Sequence, residues 1–459
     1  MDEADRVEGL RRAGLAAEAV EALERAIARE PERADSYRQL ADALEASGRA
    51  SEAVAARCAA IALDARAPAA LHNLATVYFM AGHYAPAKRW YALALTLDPD
   101  LVEANQNLAV IYDTEGRAAD AQRHRDAAFR KRSVFVEPSG APGAPTVLIL
   151  AAAGIGNVPI DFLLPRARIE RIKWFIDYAQ PDQPTRLPRF DLVFNAIGDP
   201  DICAPALERA AAFLAERAEP VLNSPARVLH TQRDQMPALL ADIDQLIVPA
   251  VTRVARAALG ASDLPARLVA AGIDFPVLVR PLGSHGGKGV SLVATETALA
   301  ALDPGDADSF YVTAFHDCRS PDGRYRKYRM IFVDRRPYPY HLAISDNWLV
   351  HYFSADMAAA PAKLGEEQRF LEAPESVLAP AARAAIGEVG RRLDLDYAGI
   401  DFGILPDGRV LFFEANALML VHLREPAEQF PYKHAHVPRI FRAFDAMVAA
   451  RLAARPSVK

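Results

Sequence analysis

The stretch DFGILPDGRVLFFEAN, Asp401 to Asn416, reads as two strands joined by a tight turn. Asp407-Gly408 is a two-residue hairpin signal, because that pair tolerates the positive φ of a type I′ turn. Pairing outward from it sets Leu405 against Val410, Gly403 against Phe412 and Asp401 against Glu414. Asn416 then shares the Glu414 face, and Phe402, Ile404, Leu411 and Phe413 point to the opposite, buried face. Two carboxylates directly across a strand pair repel. Either one of them takes a proton or both share a cation. A hard divalent ion resolves the conflict, and magnesium suits a site with one or two carboxylates. The alternative is an arginine between them in an ordinary ion cluster.

Upstream, FPVLVRPLGSHGGKGVSLV (Phe275–Val293) reads as strand, glycine loop, strand. Such a loop turns successive backbone N–H groups toward an anion, and its missing side chains let a phosphate approach. It is not a Walker loop, since Gly289 and Val290 follow Lys288 where Ser or Thr would stand, and no helix opens there. Arg280 and Lys288 supply charge to balance phosphate. A glycine-rich hairpin with Lys288 on a solvated tip is the alternative.

Further back, VEPSGAPGAP reads as a linker. After it come a buried strand, TVLILAAAG, a helix-like stretch, LLPRARIERIKWFIDYA, and a strand, FDLVFNAIGDPD. A helix, PALERAAAFLAER, and a short strand, PVLNS, follow. This βαβ rhythm predicts a small parallel sheet. AAAGIGN is not a GxGxxG fingerprint, so nothing there argues for a dinucleotide.

The first third repeats. Gly14, Gly48, Gly82 and Gly116 stand 34 residues apart, and Leu40, Leu74 and Leu108 keep the same step, as do Ala41, Ala75 and Ala109. Each unit reads as helix, glycine turn, helix. A 34-residue period with helical texture resembles the tetratricopeptide repeat, whose stacked units bury a core and present a concave face to a peptide or protein. His72, Asn73, Asn105 and Asn107 are candidates to line that groove.

With 459 residues, 51% of them apolar and 24% charged, the chain has length and composition for several globular domains. The net charge of −6 argues against nucleic acid or an anionic membrane as a general partner. Cys58, Cys203 and Cys318 are scattered, with no CxxC or metal spacing. The opening MDEADRVEGLRRAG is acidic and lacks an apolar segment, so it does not read as a signal peptide. No aliphatic run is long enough to span a bilayer. The expectation is a cytoplasmic protein.

From about Pro145 to the end, the chain resembles the ATP-grasp superfamily, nearest the D-alanine–D-alanine ligase and RimK-like branches. DLVFNAIGDPD, VLNSP and TQRD resemble its N-terminal domain and junction, PVLVRPLGSHGGKGV its phosphate-covering loop, and YAGIDFGILPDGRVLFFEAN its metal strand pair. The expected architecture is multidomain: an all-α tetratricopeptide solenoid (1–132), a linker (133–145), an α/β pre-ATP-grasp domain (146–230) and an α+β ATP-grasp fold (231–459). The last divides into a central lid, about 255–315, and a metal-binding part, about 316–459. The resemblance implies ATP with one or two Mg2+ ions, for which Mn2+ can substitute, held by Asp401, Glu414 and Asn416. It implies nucleotide contacts from Arg233, Arg280, Ser284, His285, Gly286, Gly287, Lys288, Gly289, Thr313 and Phe315. Arg329, Arg280 and Lys327 would face the reacting groups, with His341, Asn347 and His351 as further candidates on adjacent strands. Arg280 and Arg233 stand where the family usually has lysines, and Thr313-Ala314 where it often has an acid.

Most of that family joins a carboxylate to an amine through an acylphosphate. The expected activity is therefore ATP-dependent amide-bond formation on small-molecule or peptide substrates. The repeat arm would recruit a peptide or protein, or pair two copies of the chain. The alternatives are an ATP-grasp kinase acting on a small-molecule acceptor, and a catalytically degenerate repeat adaptor.

Overall fold

The computed structural model describes residues 16–284 and 286–454. Gly14, His285 and the opening segment lie outside them. The chain divides into two compact units, Met1–Ser133 and Val134–Lys459.

The first unit is a run of helices: α1 (Ala16–Arg29), α2 (Ala34–Ala46), α3 (Ala50–Ala65), α4 (Pro68–Met80), α5 (Tyr84–Leu97), α6 (Val102–Thr114) and α7 (Ala118–Phe129). Gly48, Gly82 and Gly116 close α2, α4 and α6 with φ of 77°, 77° and 74°. After each glycine the next N–H reaches back into the helix, Arg49 to the Leu44 carbonyl, His83 to Tyr78 and Arg117 to Tyr112. This is one Schellman turn repeated at the 34-residue step. Leu71, Leu74, Ala75, Trp90, Tyr91 and Leu108 fill the core between helices. Two of the groove candidates are committed inside the unit: Asn107 donates to the Tyr91 hydroxyl at 2.7 Å, and Asn105 Oδ1 meets His124 Nδ1 at 2.7 Å.

The second unit holds three sheets. The first has the order β1 (Val134–Glu137), β3 (Glu170–Phe175), β2 (Thr146–Ala151), β4 (Leu192–Asn195), β5 (Val221–Leu222), parallel except for β1 at the edge. Helix α8 (Ala204–Leu214) buries Ala206, Leu207 and Ala210 against it. Two expectations fail here. Residues 134–137, assigned to the linker, form β1. The segment read as a helix contains β3, because Ile169, Ile172 and Phe175 imitate a helical spacing while the sheet buries Arg171, Ile172 and Trp174. Arg171 is tolerated there because Glu137 and Asp161 pair with it.

The second sheet is antiparallel, β7 (Val251–Ala255), β10 (Ser309–Ala314), β8 (Val277–Pro281), β9 (Ser291–Val293), with the glycine loop between β8 and β9. The third runs β12 (Arg336–Ser345), β11 (Tyr325–Val333), β13 (Tyr397–Ile404), β14 (Val410–Asn416), β6 (Leu246–Ile247). Helices α9 (Pro361–Glu372), α10 (Pro380–Leu393), α11 (Pro431–His436) and α12 (Pro438–Ala453) contribute Phe370, Leu371, Ile386, Val389, Tyr432, Ile440 and Phe444 to the core of this sheet. Tyr328 stacks on Phe402 at 5.3 Å on that apolar side. Asn223 ties the first sheet to the third: its amide donates to the Tyr397 carbonyl and accepts from the Tyr397 N–H, both at 2.8 Å. Among the described residues, no helix is long and apolar enough to cross a membrane.

Candidate functional site

The hairpin brings Asp401 opposite Glu414, by a different route from the expected one. The turn is a three-residue loop: Gly408 donates to the Leu405 carbonyl at 2.8 Å, and only Gly408, at φ 88°, is left-handed. Pro406 presets the first turn position, so PDG makes a type I turn followed by glycine instead of a type I′ pair. Ile404 therefore faces Val410, Gly403 faces Leu411 and Phe402 faces Phe412. A bulge opposite Asp401/Phe402 then absorbs one residue and restores the carboxylate pair. The bulge also turns Phe413 outward, to 36% exposure, where a buried residue had been expected. Its ring lies over Gly403, where an added Cβ would come within 2.9 Å of Cζ.

The register extends the pair into a row across four strands. His341 on β12 faces Arg329 on β11, Arg329 faces Asp401 on β13, and Asp401 faces Glu414 on β14. Arg329 grips Asp401 with two hydrogen bonds, Nε to Oδ1 at 2.6 Å and Nη2 to Oδ2 at 2.8 Å. Lys327, two residues along the same face, sits 3.3 Å from Asp401 Oδ2. Glu414 accepts from Arg233, in the turn after the first sheet, and from Arg280 at the end of β8, at 3.4 Å. Burial raises the Asp401 and Glu414 carboxyls, yet the facing cations outweigh it and hold both below the usual carboxylate range. Burial and then the Arg233 charge pull the Arg280 guanidinium down. The repulsion seen in the sequence is thus relieved by arginines and a lysine. Four cations face two carboxylates, and the surplus of positive charge is a feature that a polyphosphate would neutralise.

These residues line a cavity of about 290 Å3 between the second and third sheets. Arg233, Arg280, Gly286, Gly287, Thr313, Phe315, Lys327, Arg329, Asp401 and Glu414 all border it. An adjoining smaller cavity shares Arg233 and Arg280 and adds Ser284 and Asn416. Ser284 Oγ is buried with no hydrogen-bond partner among the described residues, as suits a group awaiting an anion. Asn416 Oδ1 accepts the Leu418 N–H at 2.7 Å. Lys288 and Gly289 border neither cavity, and Lys288 is exposed. The glycine loop packs on the segment after β12, and a Cβ on Gly287 would approach Leu349 to 3.2 Å. β12 ends at Ser345, so Asn347 lies in a turn and His351 begins a 3-10 turn, neither on the expected strand. Sequence reasoning missed the far end of the cavity, formed by Tyr340, Tyr352, His422, Glu425 and Lys433. No motif marks those residues, and only folding gathers them.

As a magnesium site, Asp401, Glu414 and the amide oxygen of Asn416 have the right donor chemistry and share one strand pair. Among the described residues, no three His, Cys, Asp or Glu side chains converge into a metal cage. Magnesium, which commonly takes one or two carboxylates and substrate phosphates, does not require one.

In the chain, these three sheets follow a run of repeat helices. A tetratricopeptide repeat model matches residues 68–101. No curated protein matches the chain by sequence. Among solved structures, the chain is similar to the VanG D-Ala:D-Ser ligase from Enterococcus faecalis, at 12% identity over 67% of this chain and 99% of that one, TM-score 0.42. It is similar to the RimK domain ATP-grasp protein from Sphaerobacter thermophilus, at 19% identity over 65% and 98%, TM-score 0.39. It is also similar to the D-alanine-D-alanine ligase from Coxiella burnetii, at 11% identity over 67% and 96%, TM-score 0.40. Likenesses at this level carry no argument.

Proposed function

We propose that the chain is an ATP-dependent ligase that joins a carboxylate to an amine through an acylphosphate. The observation that carries this reading is the row His341–Arg329–Asp401–Glu414, flanked by Lys327, Arg280 and Arg233, inside a cavity roofed by a second sheet. The nucleotide's base would lie against Thr313 and Phe315, and its phosphates between Arg233, Arg280 and the glycine loop. Asp401, Glu414 and Asn416 would hold magnesium, which supplies charge neutralisation for the phosphates when bound. Arg329, Arg280 and Lys327 would stabilise charge on the phosphoryl group as it moves to the substrate carboxylate. The loop from Ser284 to Gly289 would exclude water from the acylphosphate. The repeat unit would recruit the peptide or protein that carries one substrate, or a second copy of the chain.

One observation favours a second reading, a repeat adaptor without turnover: both carboxylates are already neutralised by protein cations. Incubation with Mg-ATP, pooled carboxylates and pooled amines separates the two. ADP and phosphate that require both substrates support the ligase. A phosphorylated organic product would assign a kinase instead. No ATP-dependent rise in melting temperature supports the adaptor.

A further inference from the structure

Beyond Arg329 the cavity changes character. Its wall there is Tyr340, His341, Tyr352, His422, Glu425 and Lys433. The cations at this end are committed. Lys433, 3% exposed, has Nζ 2.5 Å from the Tyr352 hydroxyl, 2.9 Å from Glu425 Oε1 and 3.4 Å from Glu367 Oε1. Two of its donors make hydrogen bonds, to the Tyr352 hydroxyl and Glu425, and Glu367 pairs with its charge. Arg326 is held by Asp322 and Glu366. Among the described residues, Lys433 and Arg326 are both paired with carboxylates, so neither stands free at this end to receive a substrate carboxylate.

What is left suits the opposite charge. Glu425 retains 17% side-chain exposure at the cavity wall. Burial raises its carboxyl, but the nearby His422 and the charge and hydrogen bond of Lys433 bring it down to about 2, so it is an anion at neutral pH. Tyr340 offers an aromatic face beside it, with its ring 5.2 Å from that of His341. His341 is 6% exposed, and its Nε2 has no hydrogen-bond partner among the described residues. Burial, then the Arg329, Lys433 and Lys327 charges, keep that imidazole neutral. A buried imidazole nitrogen without a partner is destabilising until a ligand satisfies it. His341 also ends the row that runs to Glu414, so a group bound to it lies next to Arg329.

We propose that this end of the cavity is the acceptor subsite, and that it takes an alkylammonium with no carboxylate beside the amine, such as a diamine or a lysine side chain. The ammonium sits against Glu425 and the Tyr340 face, and His341 Nε2 accepts one of its N–H hydrogen bonds. An α-amino acid is disfavoured, because its carboxylate would lie unpaired near Glu425 and Glu367. The inference rests on the ligase reading and adds the class of amine to it.

The test uses the full-length protein with magnesium and a non-hydrolysable ATP analogue, and titrates cadaverine, 5-aminopentanoate and glutamate by calorimetry. Cadaverine is expected to bind at least tenfold more tightly than glutamate, with 5-aminopentanoate between them. Glu425→Gln is expected to weaken cadaverine at least tenfold, whereas Glu428→Gln, exposed and outside the cavity, leaves it unchanged. Glutamate binding as tightly as cadaverine, or no cadaverine binding to the wild type, overturns the proposal. If Glu425→Gln is unstable, the order of the three ligands on the wild type still decides. Binding of the ATP analogue is measured first and alone. If the analogue binds and cadaverine does not, only the acceptor assignment falls; if the analogue does not bind, the nucleotide reading falls with it.

Discussion

Replacing Glu414 by glutamine keeps the side-chain shape and removes one negative charge from between two guanidiniums. Arg280 Nη1 stands 3.4 Å from Glu414 Oε2, and Arg233 donates to the same oxygen. At an effective dielectric of about 20, one such pair at that distance is worth roughly 5 kcal/mol of Coulomb attraction before desolvation is subtracted. The partners are about one-fifth exposed (23%, 20% and 19% for Arg233, Arg280 and Glu414), so solvent takes back part of it. Breaking such a pair from one side leaves two unmatched cations, and the expected loss is about 3 kcal/mol. Over the 326 residues of the second unit, at about 2.1 cal/mol/K of unfolding entropy per residue, that lowers Tm by roughly 4 °C. Scanning fluorimetry with and without ligands reads the rest. The variant has a larger cation surplus, so metal-free ATP should raise its Tm at least as much as it does in the wild type. Added Mg2+ should contribute less than it does in the wild type, because one of the two carboxylates is gone. An unchanged Tm in the ligand-free variant, or an intact Mg2+ dependence of ATP binding, would refute the charge argument.

Arg329→Gln leaves Asp401, 1% exposed, with Lys327 alone, and should cost about 3–5 kcal/mol in equilibrium unfolding and abolish ADP formation. Gly289→Ala should distort the loop between β8 and β9, since Gly289 has φ 71° and an added Cβ would meet Pro281 Cγ at 2.9 Å; a local strain of about 1–3 kcal/mol should appear as weakened ATP binding, with Tm lowered by about 4 °C at most. Asp401 and Glu414 have depressed pKa values in the folded state, so their contribution is present above the unfolded values of about 4 and is lost as pH falls through the folded ones. Tm should therefore hold from pH 8 to 5.5 and fall below about pH 4, with a shallower acid limb in Glu414→Gln; an equal acid limb in that variant contradicts the assignment.

The carboxylate pair and the 34-residue step were legible because each rests on local periodicity, alternation in a strand and glycine at a helix end. The hairpin register was reached through two opposite errors, a turn one residue too short and an unseen bulge. A bulge is set by what a strand packs against, and the Phe413 ring over Gly403 is a tertiary fact that strand alternation does not encode. β3 was misread for a similar reason, since its ion pairs with Glu137 and Asp161 come from chain positions far from any local pattern. Of the site, Arg280 on β8 was found from the glycine loop it precedes, and Arg329 on β11 by family resemblance. The cluster of His422, Glu425 and Lys433 was invisible because its members enter the cavity from a loop and a helix, behind β12, with no shared spacing.

The central claim is that the row from His341 to Glu414 is the floor of a nucleotide site. The most direct measurement is a crystal structure with a non-hydrolysable ATP analogue and Mn2+, using the anomalous signal to place the metal. The account predicts manganese against Asp401 and Glu414, with the terminal phosphates within hydrogen-bond reach of Arg280 and Arg329. Nucleotide bound elsewhere, or a cavity still closed by the Arg329–Asp401 and Arg233–Glu414 pairs at saturating ligand, contradicts it.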